Sequence, residues 1–492
     1  MKARRWAGVG LIAVLTMLAG ALILFDWPQS SRQIRVRIGR PHPSETPPVS
    51  NLLAEVFEST AATAAYQPVA KGTLEFHRDI APIIYEKCAA CHNAGGPAPF
   101  HLTSFGEVKK QARRIGQAIG RGLMPPWLPD ACSQKFMGDR TLTTREKGMI
   151  EQWLREDAPE GNRADAPPSP KSAPEWPNGP PDAILQPREG WTVPAEGEDV
   201  YRCFVIPTNF SEDRYVRVAD LAPGNPKVVH HAVLYVDVSG AARKLDAAEP
   251  GPGFTVFGAL GFDPIGQMGL WGPGLRARPL PDGVGYFLPK GADVILQIHY
   301  QPTGKEERDQ SRIALYFCDK PVVKRLRYMP IAVPPARLRI PAGENKAVFW
   351  AEQRMPGDIT VVQIVPHMHL IGREMAAAAM LPRGGGTIPL IRISNWNFRW
   401  QNSYSLETPL RLPKGTRVRL EALFDNSTAN PRNPNRPPKF VRFGKQTTDE
   451  MCILYLFYTV DSEDLTQNRP APTTYPDTFQ RLRWGEFAGG AK

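Results

Sequence analysis

From Trp191 to about residue 470, the chain is a succession of short apolar runs broken by Gly, Pro or Asn. The runs are rich in β-branched and aromatic residues and are too short for most helices, which is typical of strands. Examples are 202–206, 215–218, 312–317, 347–350, 417–424 and 452–458. Short strands at regular spacing predict β-sandwiches. The sequence therefore predicts a mainly β protein.

Two sandwich domains are predicted within this region. Pro334-Pro335 is taken as the boundary, which gives domains at 191–335 and 336–470 and a tail at 471–492. The glycine-rich segment 251–290 is predicted to form long loops.

Five of the nine histidines lie in or at the ends of the strand-like runs. His367 and His369 follow the run 359–365, and residues two apart on a strand point to the same face. These two side chains are therefore expected to project together. Core histidines on a sheet face are the alternative interpretation. Imidazole is the commonest protein ligand for metals such as zinc, copper and iron.

The other three histidines of this group form a second candidate set. His230 and His231 are adjacent in one run, and His299 is near the end of another. Adjacent residues on an ideal strand face opposite ways. Both can reach one metal only if the strand has a bulge or ends there, so such an irregularity is expected at His230-His231.

Met451 precedes the run 452–458 and offers a soft sulfur ligand. Combined with His367 and His369, it gives a site that suits copper, especially Cu(I), better than zinc or iron. The three-histidine set taken alone also allows zinc. A methionine packed in the core is the alternative for Met451.

Cys88-Ala89-Ala90-Cys91-His92 has the spacing of a c-type haem attachment motif. The two thiols add to the haem vinyl groups and His92 is placed to bind the iron. A redox or zinc-binding cysteine pair is the alternative. Met124 is the preferred sixth ligand, with Met137 as the second candidate. An apolar packing role is the alternative for either methionine.

The surroundings of this motif predict a small α-helical cytochrome c domain at 73–160. An amphipathic stretch runs from Ser104 to Arg121. A last helix is expected from Thr143, a candidate N-cap with Glu146 three residues on, to about Glu156.

The N-terminal segment 1–25 is basic and then apolar, and its run from Trp6 to Phe25 is long enough to span a bilayer. We interpret it as an uncleaved membrane anchor, with a cleaved signal sequence as the alternative. An irregular tether, 26–72, follows the anchor, and a proline-rich linker is predicted at 161–190. Haem attachment to such motifs takes place outside the bacterial cytoplasm, so the chain is expected in the periplasm, anchored to the inner membrane.

The net charge of +11 does not by itself indicate a nucleic-acid partner. The sequence contains no long Lys/Arg block and no nucleic-acid motif, so a scattered basic surface is the preferred interpretation.

Several motifs in order resemble the copper type II, ascorbate-dependent monooxygenases, the family of peptidylglycine alpha-hydroxylating and dopamine beta-monooxygenases. They are His230-His231, the stretch 296–300, His367-Met368-His369-Leu370 with Gly372-Arg373, and 449–452 with Tyr455. The N-terminal part resembles the small cytochrome domain fused to bacterial members, including its motif 124–127.

The resemblance implies two jelly-roll-like sandwiches that face each other across a wet cleft, with one copper on each. It implies that His230, His231 and His299 bind an electron-storing copper. It also implies that His367, His369 and Met451 bind the copper at which O2 is activated and a small substrate is hydroxylated. Tyr455 is a candidate for the substrate pocket, with packing as the alternative.

The resemblance also bears on the cysteines. Cys203 and Cys318 match the positions of a disulfide in the first sandwich, so that bond is expected. Cys452 matches a half-cystine whose partner is not evident in this sequence, and Cys132 has no assignment.

Taken together, the sequence predicts a membrane-tethered periplasmic copper monooxygenase with two coppers and one haem c. A periplasmic or membrane electron donor, either another cytochrome or ascorbate, would supply its electrons. The alternative function is a copper-binding haem protein that transfers electrons without hydroxylase activity.

Overall fold

The computed structural model describes residues 56–57, 65–96, 98–171, 174–256, 260–275, 277–444 and 446–472. The predicted anchor 1–25, most of the tether and the tail beyond residue 472 lie outside the described residues. Within the described ranges, no helix is long and apolar enough to cross a membrane.

The N-terminal part of the described chain is helical. A π-helical turn, Phe76–Ile80, leads into helices α1 (Ala81–Lys87), α2 (Phe105–Lys110), α3 (Ala112–Gly120) and α4 (Thr144–Arg155). Phe76, Ile84 and Trp153 are buried in their common core. Helix α4 begins with the predicted capping box: the Thr143 side chain accepts the backbone N–H of Glu146, and the Glu146 side chain accepts that of Thr143.

The first sandwich is defined here as residues 183–325. Its strands are β1 (Ala183–Leu185), β2 (Trp191–Val193), β3 (Val200–Pro207), β4 (Arg214–Ala222), β5 (Val229–Asp237), β6 (Phe254–Thr255), β7 (Gly266–Trp271), β8 (Val284–Leu288), β9 (Asp293–Tyr300), β10 (Glu307–Asp309), β11 (Arg312–Phe317) and β12 (Lys324–Arg325). One helix, α5 (Ala241–Ala248), follows β5. Two five-stranded sheets, ordered β1-β11-β4-β8-β12 and β6-β3-β9-β5-β7, share one core.

The second sandwich is defined as residues 327–460. Its strands are β13 (Arg327–Ala332), β14 (Arg339–Ile340), β15 (Ala347–Arg354), β16 (Ile359–Met368), β17 (Gly372–Met380), β18 (Thr387–Ile393), β19 (Tyr404–Leu412), β20 (Arg417–Phe424), β21 (Val441–Arg442) and β22 (Cys452–Val460). Two four-stranded sheets, ordered β13-β22-β16-β19 and β15-β20-β17-β18, enclose a core that contains Ile364 and Leu420. The protein is therefore mainly β, as the sequence predicts.

The chain crosses between the sandwiches earlier than the sequence suggests. Strand β12 pairs with β8 of the first sandwich, whereas β13 pairs with β22 of the second. The crossing is therefore at Leu326. Pro334-Pro335 follows the end of β13, after the chain has already entered the second sandwich, and so does not mark the change of domain.

Two segments expected to be irregular are part of the first sandwich. The predicted linker 161–190 contains β1, which pairs with β11, and Trp176, which packs beside Tyr316. The segment 251–290 contains β6, β7 and β8. Strand β7 pairs with β5 despite its two glycines, because backbone pairing needs no side chain.

A loop of the helical part is built into the second sandwich. Phe136 belongs to that sandwich's buried core and forms a bridge with Leu406 of β19, and Trp127 packs against the same core. The backbone N–H of Asp130 donates to the carbonyl of Arg392. The helical part is therefore fixed to the second sandwich by apolar packing and backbone hydrogen bonds.

The predicted disulfide between Cys203 and Cys318 is wrong in this structure, where both thiols are free. Side chains alternate along β3, so Phe204 enters the core between the sheets while Cys203 points to the opposite face, against Ala242 of α5. Cys318 follows β11 in the other sheet. A disulfide would have to cross the core between the two sheets, whereas the Cys203 side chain points away from that core.

Candidate metal centres

The three-histidine cluster lies at one end of two neighbouring strands. His231 on β5 is directly opposite His299 on β9. The register of this pair shifts between Val229 and His231, so His230 is an extra residue in a bulge. The irregularity expected from the sequence is present, and it allows both adjacent histidines to turn toward His299.

The Nδ1 atoms of these three histidines face a common point. The Nδ1 atom of His230 lies 3.2 Å from that of His231 and 3.2 Å from that of His299, and the last two are 3.3 Å apart. The three residues are a group that can hold a metal ion. A point equidistant from three such atoms lies about 1.9 Å from each, close to a typical metal–imidazole distance of about 2.0–2.1 Å. The donor set therefore fits a bound cation.

Residues around the cluster orient the His299 ring. Its Nε2 donates to Asp199 Oδ2 at 2.8 Å, which leaves Nδ1 with a free lone pair. The ring of Tyr201 stacks on that of His299, with centroids 4.2 Å apart. Burial lowers the pKa of His230 to about 4 and that of His231 well below its ordinary value, and neighbouring histidines add to both shifts. The imidazoles of His230 and His231 are therefore neutral at physiological pH.

The second cluster is at the end of β16. His367 and His369 project together, as predicted, with ring centroids 5.1 Å apart. His367 Nδ1 lies 2.5 Å from Gln401 Oε1, and His369 Nδ1 lies 3.1 Å from the carbonyl oxygen of Asp449. Both partners are acceptors, so each Nδ1 carries a proton and each Nε2 is left to bind a metal.

Met451 directly precedes β22, the strand that neighbours β16, and lies beside His369. Met368, the residue before His369, pairs with Cys452, the residue after Met451, at the end of the antiparallel β16–β22 ladder. The same oxygen of Glu450, Oε2, accepts the backbone N–H groups of His369 and Met451 at 2.8 and 3.2 Å. The backbone of Met451 is thus held beside that of His369, and a thioether with two imidazoles is a donor set that suits copper.

Burial determines the charge states of this second cluster. It lowers the pKa of His369 to about 3, with a further contribution from His367. Glu450 is fully buried, and burial raises its pKa to about 8 although backbone N–H groups oppose the shift. Its other oxygen, Oε1, accepts the N–H of Ile371 at 2.8 Å. Glu450 is therefore mostly protonated near neutral pH and fixes the loop that follows His369.

One loop contacts both clusters, and we call residues 396–401 the bridging loop. The ring of Phe398 stacks near that of His230, with centroids 5.7 Å apart, and meets His369 edge-on at 5.9 Å. Trp396 Nε1 donates to the carbonyl of His369, and Gln401 bonds His367. The wet cleft implied by the resemblance is thus filled at this point by the buried Phe398 side chain.

The haem attachment motif forms a turn after α1. Cys88 and Cys91 are both free thiols. His92 is buried, and its Nδ1 lies 3.0 Å from the carbonyl oxygen of Phe100. Nδ1 is therefore protonated and Nε2 is available for an iron ligand, so the local geometry fits the motif's expected role.

The two candidate haem methionines lie in different surroundings. Met137 and Ala90 line one cavity of about 340 Å³ between the helical part and both sandwiches. Met124 is half-buried near the start of the loop that packs on the second sandwich. Of the two, Met137 faces the space beside the haem attachment turn.

Tyr455 lies on β22 opposite Val365 of β16. Its ring centroid is 6.4 Å from that of Tyr328, and its side chain packs against the core of the first sandwich. Burial raises its pKa to about 12. Tyr455 is thus at the junction of the sandwiches, where both the packing interpretation and a pocket-lining role are compatible with its position.

Sequence reasoning missed the residues that support the ligands. Asp199, Phe398 and Gln401 lie in loops without periodicity or a motif. Glu450 directly precedes Met451, and an acidic residue at the start of a buried strand was a signal that could have identified it.

A family comparison covers the second sandwich. Residues 349–476 match the model of the C-terminal domain of the copper type II ascorbate-dependent monooxygenases. The matched range contains His367, His369 and Met451, whereas the three-histidine cluster precedes it.

Comparisons with solved structures give only weak likenesses. The major capsid protein P2 of bacteriophage PM2 is 10% identical with a TM-score of 0.24, covering 58% of this chain and 99% of that chain. A structure of the infectious bursal disease virus Gx strain is 8% identical with a TM-score of 0.16, covering 58% of this chain and 73% of that chain. TM-scores this low support no inference about this chain.

Proposed function

We propose that this chain, a member of the copper type II ascorbate-dependent monooxygenase family, hydroxylates a C–H bond of a small substrate with O2. The observation that carries the proposal is the convergence of three Nδ1 atoms at 3.2–3.3 Å, next to a domain that matches the family model. The reaction consumes substrate, O2, two electrons and two protons, and yields the alcohol and water.

The two clusters suit different tasks in this reaction. Two bound coppers would supply one electron each to the reduction of O2. His230, His231 and His299 form an all-nitrogen set inside a sheet, which suits an ion that stores an electron. His367, His369 and Met451 form a set whose thioether favours Cu(I), the state needed before O2 is reduced.

We further propose that Cys88 and Cys91 hold a haem c whose iron is bound by His92 Nε2. The support is the motif spacing together with the hydrogen bond from His92 Nδ1 to the carbonyl of Phe100, which keeps the proton on Nδ1 and leaves Nε2 free. The sixth ligand is Met124 or Met137. Substitution of the true ligand by alanine should change the low-spin haem spectrum, whereas substitution of the other should not.

The location and the partners follow from the haem. A c-type haem requires maturation outside the cytoplasm, so the chain would act in the periplasm with residues 1–25 as its anchor or as a cleaved signal sequence. Its electrons would come from a periplasmic or membrane donor, either another cytochrome or ascorbate.

A second candidate function is electron transfer without hydroxylation. The buried Phe398 ring between the two clusters favours it, because it leaves an apolar contact where a substrate and water would otherwise have access. Substrate-dependent consumption of O2 separates the two functions, since only the monooxygenase couples O2 reduction to a substrate.

The test uses the sulfur of Met451. Met451→Leu keeps the side-chain volume and removes the thioether, so hydroxylation should be lost while the three-histidine copper is retained. Met375→Leu, at a buried methionine elsewhere in the second sandwich, is the matched control. Hydroxylation that survives in Met451→Leu would contradict the assignment of the oxygen site.

A further inference from the structure

The haem attachment motif meets the first sandwich at the turn that follows β7, which we call the 271–275 turn. The N–H of Leu275 donates to the carbonyl of Gly272 at 2.9 Å, and Gly274 has a φ of +80°. Proline at the second position and glycine at the third are the residues that a type II turn favours. The turn is thus a defined backbone structure rather than a loose connection.

Arg140 holds the motif against this turn. Its Nη1 lies 3.6 Å from Cys91 Sγ, and its Nη2 donates to the carbonyl of Gly274 at 2.6 Å. A β-carbon added to Gly274 would lie 2.7 Å from Cys91 Sγ, closer than such atoms approach. The sulfur proposed to carry haem therefore contacts the backbone of the first sandwich.

The same turn is connected to both histidine clusters. Trp271 pairs with Ala232, the residue after His231. A β-carbon added to Gly272 would lie 3.6 Å from the carbonyl oxygen of Gln401, whose side chain bonds His367. Residues 271–275 thus contact Cys91 at one end, and at the other end Ala232, next to His231, and Gln401, which is hydrogen-bonded to His367.

We propose that the 271–275 turn, positioned by Arg140, is the junction through which electrons pass from the haem-bearing motif to the histidine clusters. The inference rests on the proposed function, because it requires haem on Cys88 and Cys91 and copper on the histidines. In each transfer one ferrous haem becomes ferric and one cupric ion becomes cuprous, with no bond broken and no proton moved. Covalent bonds and close contacts conduct electrons better than gaps between atoms, because tunnelling decays faster across a gap.

The experiment follows the haem rather than the hydroxylation. Full-length protein loaded with haem and Cu(II) is mixed, without O2 or substrate, with less than one equivalent of a reduced viologen. The haem absorption should show reduction and then reoxidation at a rate independent of protein concentration, as the electron moves to copper within the chain. Protein stripped of copper should show reduction without reoxidation.

Two glycines provide a matched pair of variants. Gly274→Ala places a methyl group against Cys91 Sγ, whereas Gly304→Ala strains a similar backbone, with a φ of +86°, and meets nothing within 4 Å. We expect reoxidation to slow severalfold in Gly274→Ala and to keep the unaltered rate in Gly304→Ala, with haem and copper contents unchanged. Arg140→Gln, which removes both contacts without straining the backbone, should slow it in the same direction and serves if Gly274→Ala does not fold.

The outcomes that would overturn the inference are distinct. Unaltered reoxidation in Gly274→Ala and Arg140→Gln would reject the junction and leave the proposed function standing. Equal slowing in Gly304→Ala would assign the effect to general backbone strain and also reject the junction. Unaltered protein without covalent haem, or with haem that stays reduced beside Cu(II), would overturn the proposed electron route itself.

Discussion

The two histidine clusters are built in different ways. The first is a property of one sheet, since the register of β5 and β9 and the bulge at His230 bring its three Nδ1 atoms together. The second takes His367 from β16 and His369 from just beyond its end, and the bridging loop and residues 449–451 supply the remaining contacts. A sheet-borne site keeps its geometry, whereas a loop-borne site can adjust when a ligand binds. The contrast agrees with the proposed division into electron storage at the first cluster and O2 chemistry at the second.

Loss of a ligand should have the largest effect and should show that the clusters are independent. His299→Ala removes one of three nitrogens, and copper content should fall from about two to about one ion per chain, measured by elemental analysis. His369→Ala should lose the other ion. His101→Ala, at an exposed histidine away from both clusters, is the control. Loss of both coppers in either ligand variant would break the comparison.

Removal of the buried carboxyl should unfold the loop-borne site. Glu450→Ala leaves the N–H groups of His369, Ile371 and Met451 without their acceptor, which should lower the free energy of unfolding by about 3 kcal/mol. Denaturant titration measures this. Glu450→Gln keeps one oxygen and the shape of the mostly protonated acid, so its loss should be about 1 kcal/mol. Equal losses in both variants would refute this account of Glu450.

The carboxylate beside the sheet-borne site should affect metal affinity rather than folding. Asp199→Asn weakens the acceptor for His299 Nε2, and copper affinity at the first cluster should fall by about 10- to 100-fold in competition with a chelator. Glu198→Gln, at the exposed neighbouring carboxylate, is the control. Gln401→Leu removes the corresponding partner of His367 at the second cluster. An equal loss of copper affinity there would show that Asp199 and Gln401 act alike, and would weaken the contrast between a sheet-borne and a loop-borne site.

The ring between the clusters should have the smallest effect on stability. Phe398→Leu preserves an apolar side chain, so the cost should be about 1 kcal/mol and both coppers should remain. Hydroxylation should slow at an unchanged KM, because the ring that contacts His230 and His369 is lost. Phe440→Leu, at an exposed phenylalanine of the same sandwich, is the control. An unaltered turnover rate would show that the ring only fills space.

The sequence predicts the parts of these sites that follow from periodicity. Alternation along a strand predicts that His367 and His369 project together, and the same alternation requires the bulge found at His230. It does not show which ring nitrogen faces the metal, because that depends on acceptors such as Asp199 and Gln401. Those residues approach from segments distant in sequence, and no local pattern indicates them.

The incorrect expectations have physical causes in the backbone. The pairing of Cys203 with Cys318 ignored the face to which Cys203 points along β3. The boundary at Pro334-Pro335 treated a strand end as a domain end, and 251–290 was taken for loops because its glycines hide the pairing of β7 with β5. The last two cases depend on strand partners that sequence alone does not specify.

The packing of Trp127 and Phe136 onto the second sandwich has a consequence for truncated forms of the protein. A shortened polypeptide that begins after the helical part would leave Tyr404 and Leu406 without the aromatic rings that cover them. Uncovered apolar surface of this kind promotes aggregation. The helical part and the second sandwich therefore share buried surface and behave as one folding unit.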